Sequence, residues 1–199
     1  HFKRSNLPRA GDFVYRSRYT IAILHFLGND MQELIDNGQF LELSRRSPSL
    51  FESPLTFTLN NGTVVEVSAP GIIRFFPQST VSEKKQIVLS CGVHGNETAP
   101  IEICDELVQR ILTGELTLSH NVLFLFGNLP AMDIAERFVE ENMNRLFSGE
   151  HQNLAAGQQM NNERHRAKQL EDAVKDFYLA VSPQPHRSRF HYDLHTAIR

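Results

Sequence analysis

The chain has 199 residues, 41% of them hydrophobic, and this length supports one substantial core in a soluble globular protein. Its net charge of -3 comes from 20 basic and 23 acidic residues spread along the chain, so no tract for binding nucleic acid stands out. No apolar stretch reaches the roughly 18 residues of a membrane span, and residues 1–6 are too polar for a signal peptide, which predicts a cytoplasmic location.

The section before residue 80 predicts one helix and an antiparallel sheet. An Asn-Asp cap indicates a short helix over residues 30–35. Residues 55–59 alternate between apolar and polar, Asn60-Asn61-Gly62 marks a turn, and residues 64–67 continue beyond it, which is typical of a hairpin. A third strand is predicted over residues 72–76.

The middle of the chain predicts a strand, helix, strand unit. Residues 85–90 and 121–126 are short apolar runs that suit buried strands. Between them, apolar residues recur at helical spacing, which predicts an amphipathic helix that ends near Gly114. The two strands of such a unit are expected to be parallel neighbours. The sequence therefore predicts an α/β fold with a mixed central sheet flanked by helices on both faces.

Two further elements are predicted near the C-terminal end. Residues 161–180 form a long polar helix with an apolar stripe, and residues 190–195 form a last strand. Cys91 and Cys104 both fall in apolar patterns and are expected to be buried free thiols. A cysteine-based zinc site is therefore excluded.

A candidate metal site follows the first of the two buried strands. His94 and Glu97, three residues apart where the chain enters the helix, can converge on one ion, and zinc suits an imidazole nitrogen with a carboxylate oxygen. A catalytic zinc needs a third protein ligand, for which His195 is the candidate. Strand alternation places Asp193 on the same face, where it could orient an imidazole. A His-x-x-Glu pair alone is common on helix surfaces, so a surface role stays open at this point.

Two arginines lie in the segment after the second buried strand. Arg137 and Arg145, with Asn144 beside the latter, could form a carboxylate clamp, because guanidinium groups bind carboxylates bidentately and stay charged. The alternative is a solvated face in which these arginines pair with neighbouring glutamates. Composition alone favours the alternative.

Three motifs occur in the order seen in one enzyme family. They are His94-Gly95-Asn96-Glu97, a segment that ends in Asn144-Arg145-Leu146-Phe147, and Asp193-Leu194-His195-Thr196. With the residues around them, the motifs resemble the succinylglutamate desuccinylase and aspartoacylase family, a branch of the zinc carboxypeptidase superfamily. The resemblance extends over essentially the whole chain and is strongest to the desuccinylase branch.

The resemblance implies that residues 1–199 form a zinc-dependent amidohydrolase domain with one zinc ion per chain. The reaction it implies is hydrolysis of N-succinyl-L-glutamate to succinate and L-glutamate in arginine catabolism. The implied zinc ligands are His94, Glu97 and His195. Arg137 would polarise the scissile carbonyl and stabilise its oxyanion, while Asn144 and Arg145 would hold the α-carboxylate of this small N-acyl amino acid. No nucleic-acid or membrane partner is expected.

The chain departs from the family pattern in two places. Leu129 stands where the family usually has a second proline. The family's general base is a glutamate beyond the last zinc histidine, followed by a mostly β C-terminal part, so both are expected to lie beyond Arg199. Three alternatives stay open: an aspartoacylase-like deacylase, a carboxypeptidase acting on peptides, and a non-catalytic metal-binding fragment.

Overall fold

The structure is a computed structural model that describes Leu34, residues 37–180 and residues 188–196. Among these residues the helices are α1 (Phe40–Arg46), α2 (Thr98–Leu112), α3 (Leu129–Asp133) and α4 (Asn162–Leu179). The strands are β1 (Leu55–Thr58), β2 (Val64–Ala69), β3 (Ile72–Phe76), β4 (Gln86–Cys91), β5 (Asn121–Phe126) and β6 (Arg189–Asp193). Short 3₁₀ turns occupy Pro48–Phe51, Met143–Arg145 and Glu150–Gln152.

The six strands form one mixed sheet in the order β1-β2-β3-β5-β4-β6. Neighbours among β1, β2 and β3 are antiparallel, as is the β3–β5 pair, whereas β4 is parallel to both β5 and β6. The predicted hairpin and the predicted parallel pair are thus confirmed. Because β4, β5 and β6 run in the same direction, their carboxyl ends meet at one edge of the sheet.

Helices cover both faces of the sheet, as predicted. On one face, residues of α1, α2 and α3 pack with alternate residues of the strands, among them Phe124 and Phe126 of β5. On the other face, α4 packs through Leu170 and Phe177 against the remaining residues of β5, including Leu123. All six residues of β5 are buried for this reason, which explains its uninterrupted apolar run.

Several details depart from the sequence predictions or lie beyond what the structure tests. The predicted helix over residues 30–35 falls outside the described residues except for Leu34, and α1 and α3 were not predicted. The last strand ends at Asp193, two residues before His195, because its partner β4 ends at Cys91 and the chain turns at Gly92. The extent of the domain over residues 1–199 stays a prediction.

The described part of the chain contains neither a disulfide nor a membrane-spanning helix. Cys91 and Cys104 are buried and form no disulfide, as predicted. No helix in that part is both long enough and apolar enough to cross a membrane.

Candidate metal centre

The turn that follows β4 packs against α3 with little space between their backbones. A Cβ atom on Gly95 would lie 2.1 Å from the carbonyl carbon of Ala131. Gly92 has φ +62°, a left-handed conformation that glycine adopts without strain, and its Cβ would lie 2.0 Å from Met132 Cε. The two glycines therefore allow the turn over residues 92–97 to meet α3 at the carboxyl edge of the sheet.

Three side chains predicted as metal ligands converge beside this turn. Glu97 lies between two imidazoles: its Oε1 is 2.8 Å from His94 Nδ1, and its Oε2 is 2.9 Å from His195 Nδ1. One potential ligand atom from each of the three residues lies within 4.8 Å of the others. His94 and Glu97 are buried, whereas the His195 side chain is 30% exposed, so the group is open to solvent on the His195 side.

An acceptor oxygen contacts the far nitrogen of each imidazole. Asn142 Oδ1 lies 3.1 Å from His94 Nε2, and Asp193 Oδ2 lies 2.8 Å from His195 Nε2. The Asn142 atom also accepts the Asn144 backbone N–H, which identifies it as the oxygen. Acceptors at both Nε2 atoms favour a proton there, so a metal ion could bind each Nδ1 by displacing the proton that this nitrogen shares with Glu97. The predicted contact of Asp193 with His195 is therefore present, although β6 ends before His195.

The protein holds the central carboxylate in its charged form. Burial opposes ionisation of Glu97, but hydrogen bonds from His94, His195 and the Thr196 amide outweigh it and hold the pKa of this carboxyl below its ordinary value. Burial likewise opposes protonation of His195, but Asp193 and Glu97 outweigh it and raise the pKa of the imidazole. A metal cation at Nδ1 would replace protons in a site already arranged for positive charge.

The donor set suits a catalytic metal. Two imidazole nitrogens and one carboxylate oxygen are ligands that zinc accepts, and three protein ligands leave the fourth position of a tetrahedral ion open. Both imidazoles turn the same nitrogen toward Glu97 and have their other nitrogen occupied by an acceptor. The residues therefore fit a bound zinc ion in chemistry and in mutual placement.

The structure treats the three predicted substrate-facing residues differently. Arg137 reaches the centre, with Nη1 3.8 Å from Glu97 Oε1, and its backbone carbonyl accepts the Gly95 N–H at 3.4 Å. Asn144 and Arg145 lie on the 3₁₀ turn that follows Asn142, and both are exposed. The Arg137 guanidinium is thus beside the candidate metal site, while the roles of Asn144 and Arg145 stay predictions.

Two contacts at the site had no assigned role in the sequence analysis. Asn142 contacts His94 across 48 residues of sequence, and no local pattern indicates that contact. Ser90 donates its hydroxyl to Asp193 Oδ1 at 2.7 Å and lies 2.9 Å from His191 Nε2. Ser90 sits on β4 and Asp193 on β6, so a prediction of this contact required the pairing of those two strands.

Comparison with known proteins agrees with this geometry. Residues 83–199 match the family model described as the succinylglutamate desuccinylase/aspartoacylase catalytic domain, which is more than half of the chain. The chain belongs to this family. Its matched region contains all three residues of the candidate metal centre and the segment that carries Arg137.

Individual relatives are similar over most of this chain. A succinylglutamate desuccinylase from Pseudoalteromonas atlantica is 53% identical over 169 residues, covering 85% of this chain and 47% of the relative. One from Shewanella denitrificans is 48% identical over 170 residues, covering 84% and 47%. The crystal structure of the succinylglutamate desuccinylase from Chromobacterium violaceum matches with a TM-score of 0.69 and 34% identity, over 82% of this chain and 47% of that one. The chain thus spans about half the length of the relatives it matches.

Proposed function

We propose that the protein containing this chain is a zinc-dependent amidohydrolase that cleaves N-succinyl-L-glutamate to succinate and L-glutamate. The observation that carries the proposal is the convergence of His94, Glu97 and His195 in a chain of this family. Relatives at 46–53% identity bear the name succinylglutamate desuccinylase, which supports the choice of substrate. The reaction would serve the succinyl-transfer route of arginine breakdown.

The metal would be held by the imidazole Nδ1 atoms of His94 and His195 and by the Glu97 carboxylate. Bound there, zinc would supply a Lewis acid that polarises the amide carbonyl and activates the attacking water. Asn142 and Asp193 would orient the two histidines through their Nε2 atoms. Burial of His94 and Glu97 restricts their movement, while the exposed side of His195 leaves access for a substrate.

Arg137 is the residue placed to stabilise charge that develops on the carbonyl oxygen. Its guanidinium is positively charged and lies 3.8 Å from the Glu97 carboxylate, so its charge acts at the edge of the centre. This positive charge would stabilise an oxyanion that develops on the carbonyl oxygen in the transition state. The neutral amide of the substrate carries less charge there, so Arg137 would favour the transition state over the ground state.

Asn144 and Arg145 would bind the α-carboxylate of the glutamate moiety. Both follow Asn142 on one short turn, so a substrate held by them remains next to the residue that contacts His94. Both are exposed, so a substrate can reach them from solvent. The guanidinium of Arg145 can donate one hydrogen bond to each carboxylate oxygen, which fixes orientation as well as distance.

The proton acceptor of the reaction is proposed to lie outside these 199 residues. Glu97 is engaged by two histidines and the Thr196 amide. Glu141 is paired with Arg164, and Glu163 is buried against backbone amides. The family places its general base after the last zinc histidine, so we propose a glutamate beyond Arg199 for this role.

The aspartoacylase activity named in the description of the family model makes N-acetylaspartate the second candidate substrate. The test is to express the full gene product that contains these residues, strip its metal, reload it with zinc, and measure succinate and acetate release. We expect succinate from N-succinylglutamate, dependent on zinc, at a higher kcat/KM than acetate from N-acetylaspartate. The reverse preference would favour the second candidate, and equal activity in the stripped protein would contradict zinc dependence.

A further inference from the structure

Outside the metal centre, a buried carboxylate accepts hydrogen bonds from several backbone amides of the loop that carries Arg137. Glu163, on the first turn of α4, is only 2% exposed. Its Oε1 accepts the Val139 N–H at 2.7 Å, both of its oxygens accept the Glu140 N–H at 3.2 Å, and Oε2 accepts the Glu141 N–H at 3.3 Å. The side-chain amide of Asn128, the residue that caps α3, donates to Oε1 at 3.1 Å.

These donors require an acceptor that carries no hydrogen. Three successive backbone N–H groups that point at one site form a concave anion-binding arrangement, for which an ionised carboxylate is suited. A glutamine in the same place would present an NH₂ group to at least one of these donors. The chemistry of residue 163 therefore decides whether the backbone over residues 139–141 can keep its conformation.

Arg164, the next residue of α4, binds Glu141 and the backbone farther along the same loop. Arg164 binds the Glu141 carboxylate through two hydrogen bonds of 2.7 and 2.6 Å. Its Nη1 also donates to three backbone carbonyls around the turn Glu150–Gln152, at 3.1–3.2 Å. Glu163 thus fixes the loop over residues 139–141 to α4 through the backbone amides of the loop, and Arg164 fixes it through the Glu141 carboxylate.

The fixed stretch lies between two residues that reach the metal centre. Two residues before it, Arg137 has its carbonyl bound by Gly95 and its guanidinium beside Glu97. Immediately after it, Asn142 contacts His94. A shift of residues 139–141 would therefore displace both groups relative to the ligands.

We propose that Glu163 is a positioning residue for the amide hydrolysis: its carboxylate holds the loop over residues 139–141 so that the Arg137 guanidinium faces the metal centre. The inference rests on the proposed function for its kinetic consequence, but the structural part of it can be tested without turnover. It assigns to α4 the task of aligning a catalytic loop in addition to covering the sheet.

The structural part is tested by hydrogen exchange of the full gene product. Glu163→Gln is compared with Glu171→Gln, the same substitution two turns later on α4, where the carboxylate accepts one amide from Gly149. We expect exchange across residues 139–141 to accelerate by roughly tenfold or more in Glu163→Gln, as for the loss of one buried hydrogen bond, and to stay unchanged in Glu171→Gln. Unchanged exchange in folded Glu163→Gln would overturn the proposal.

The kinetic part uses N-succinylglutamate and separates kcat from KM. We expect kcat of Glu163→Gln to fall by about 10²-fold, the scale of a small misplacement of a catalytic group, with a smaller rise in KM. Glu163→Asp, which restores an ionised acceptor on a shorter stem, should recover part of kcat, and it serves as the test if the Gln variant does not fold. Equal losses of kcat in the Asp and Gln variants at matched thermal stability would contradict an alignment role, and so would a wild-type kcat in the Asp variant if the Gln variant does not fold.

If the protein hydrolyses a different substrate, the kinetic comparison fails for every variant, wild type included. The exchange comparison still decides whether Glu163 holds the loop, so failure of the proposed function and failure of this inference give different results. Glu171→Gln should retain wild-type kcat and KM, because its partners, the Gly149 amide and the His151 imidazole, both lie beyond the fixed stretch. Loss of activity in that control equal to that of Glu163→Gln would show a general effect of α4 and overturn the assignment.

Discussion

Replacement of Gly95 by alanine tests the contact between α3 and the turn over residues 92–97, which carries two of the proposed metal ligands. Its Cβ would lie 2.1 Å from the Ala131 carbonyl carbon, whereas ordinary contact begins at 3.4 Å, so 3.4 minus 2.1, or 1.3 Å, of separation is missing. The next two atoms it would meet, at 2.3 and 2.4 Å, are also backbone atoms, of Met132 and Ala131. Backbone cannot rotate away as a side chain can, so the turn and α3 must move apart.

The displacement has a cost for stability and for metal binding. Overpacking of a well-packed site costs typically about 1 to 3 kcal/mol, and a backbone clash belongs at the upper end. Reduced freedom of the unfolded chain offsets about 0.4 to 1 kcal/mol of this. We therefore expect a net loss near 2 kcal/mol, or roughly 4 to 8 °C in Tm. Zinc sites tolerate only about 0.2 Å of ligand error, so zinc affinity should fall at least tenfold.

Differential scanning calorimetry and zinc titration by chelator competition measure the two effects. Gly114→Ala is the control: Gly114 has φ +80° but no atom within 4 Å of its Cβ position, so it carries backbone strain without a clash. The control should lose stability by about 1 to 2 kcal/mol and keep its zinc affinity. A zinc affinity of Gly95→Ala within twofold of the wild type would refute the account of how α3 positions the turn.

Two further predictions concern the loop over residues 137–145. In the full gene product, Arg137→Ala should lower kcat by about 10²- to 10³-fold, as for loss of an oxyanion donor, and Arg145→Ala should mainly raise KM; equal changes in both parameters for both variants would show that the roles are not separate. Hydrogen bonds from Arg164 outweigh burial and hold the pKa of the Glu141 carboxyl below its ordinary value. The Glu141–Arg164 pair therefore contributes its full stability above about pH 4.3, the pKa of an unperturbed glutamate. This contribution is lost as the pH falls through the lower pKa of the folded state. Glu141→Gln should therefore lower the free energy of unfolding by about 1 to 2 kcal/mol at pH 6 and by progressively less below pH 4, which urea titrations would show. A deficit that does not depend on pH would contradict the assignment.

The sequence was sufficient for the architecture because the local signals agree with the tertiary structure. Apolar alternation, the Asn-Gly turn and two continuous apolar runs identified the first five strands within two residues at each end. The apolar run over residues 122–126 could be assigned to a central strand because burial on both faces leaves no polar residue after Asn121. By contrast, α1 lies in a segment without capping signals, where packing of Phe40 and Leu43 into the core stabilises the helix.

Part of the candidate metal centre could be predicted from the sequence. His94 and Glu97 are close in the chain, so their proximity follows from local geometry. His195 lies 98 residues after Glu97, and its approach depends on the pairing of β6 with β4, which spacing alone does not give. His195 was a candidate because a catalytic zinc needs a third protein ligand, and the family resemblance then implied the same residue.

No sequence pattern identifies Glu163 and Asn142 as residues that support the candidate metal centre. Glu163 follows a capping asparagine on α4, where an acidic residue ordinarily favours the helix dipole and needs no other explanation. Its amide partners are 22–24 residues away in an irregular loop whose course cannot be read from periodicity. Asn142 likewise acts through a contact that exists only once the loop has folded over His94.

Zinc titration of the 199-residue chain tests whether His94, Glu97 and His195 bind a metal ion. We expect one tightly bound zinc ion per chain, and a loss of affinity in His195→Ala of more than the roughly 10- to 100-fold that removal of an outer partner costs. His165→Ala, which removes an exposed histidine of α4, should leave the affinity unchanged. Binding of equal strength in wild type and His195→Ala would contradict the site formed by His94, Glu97 and His195.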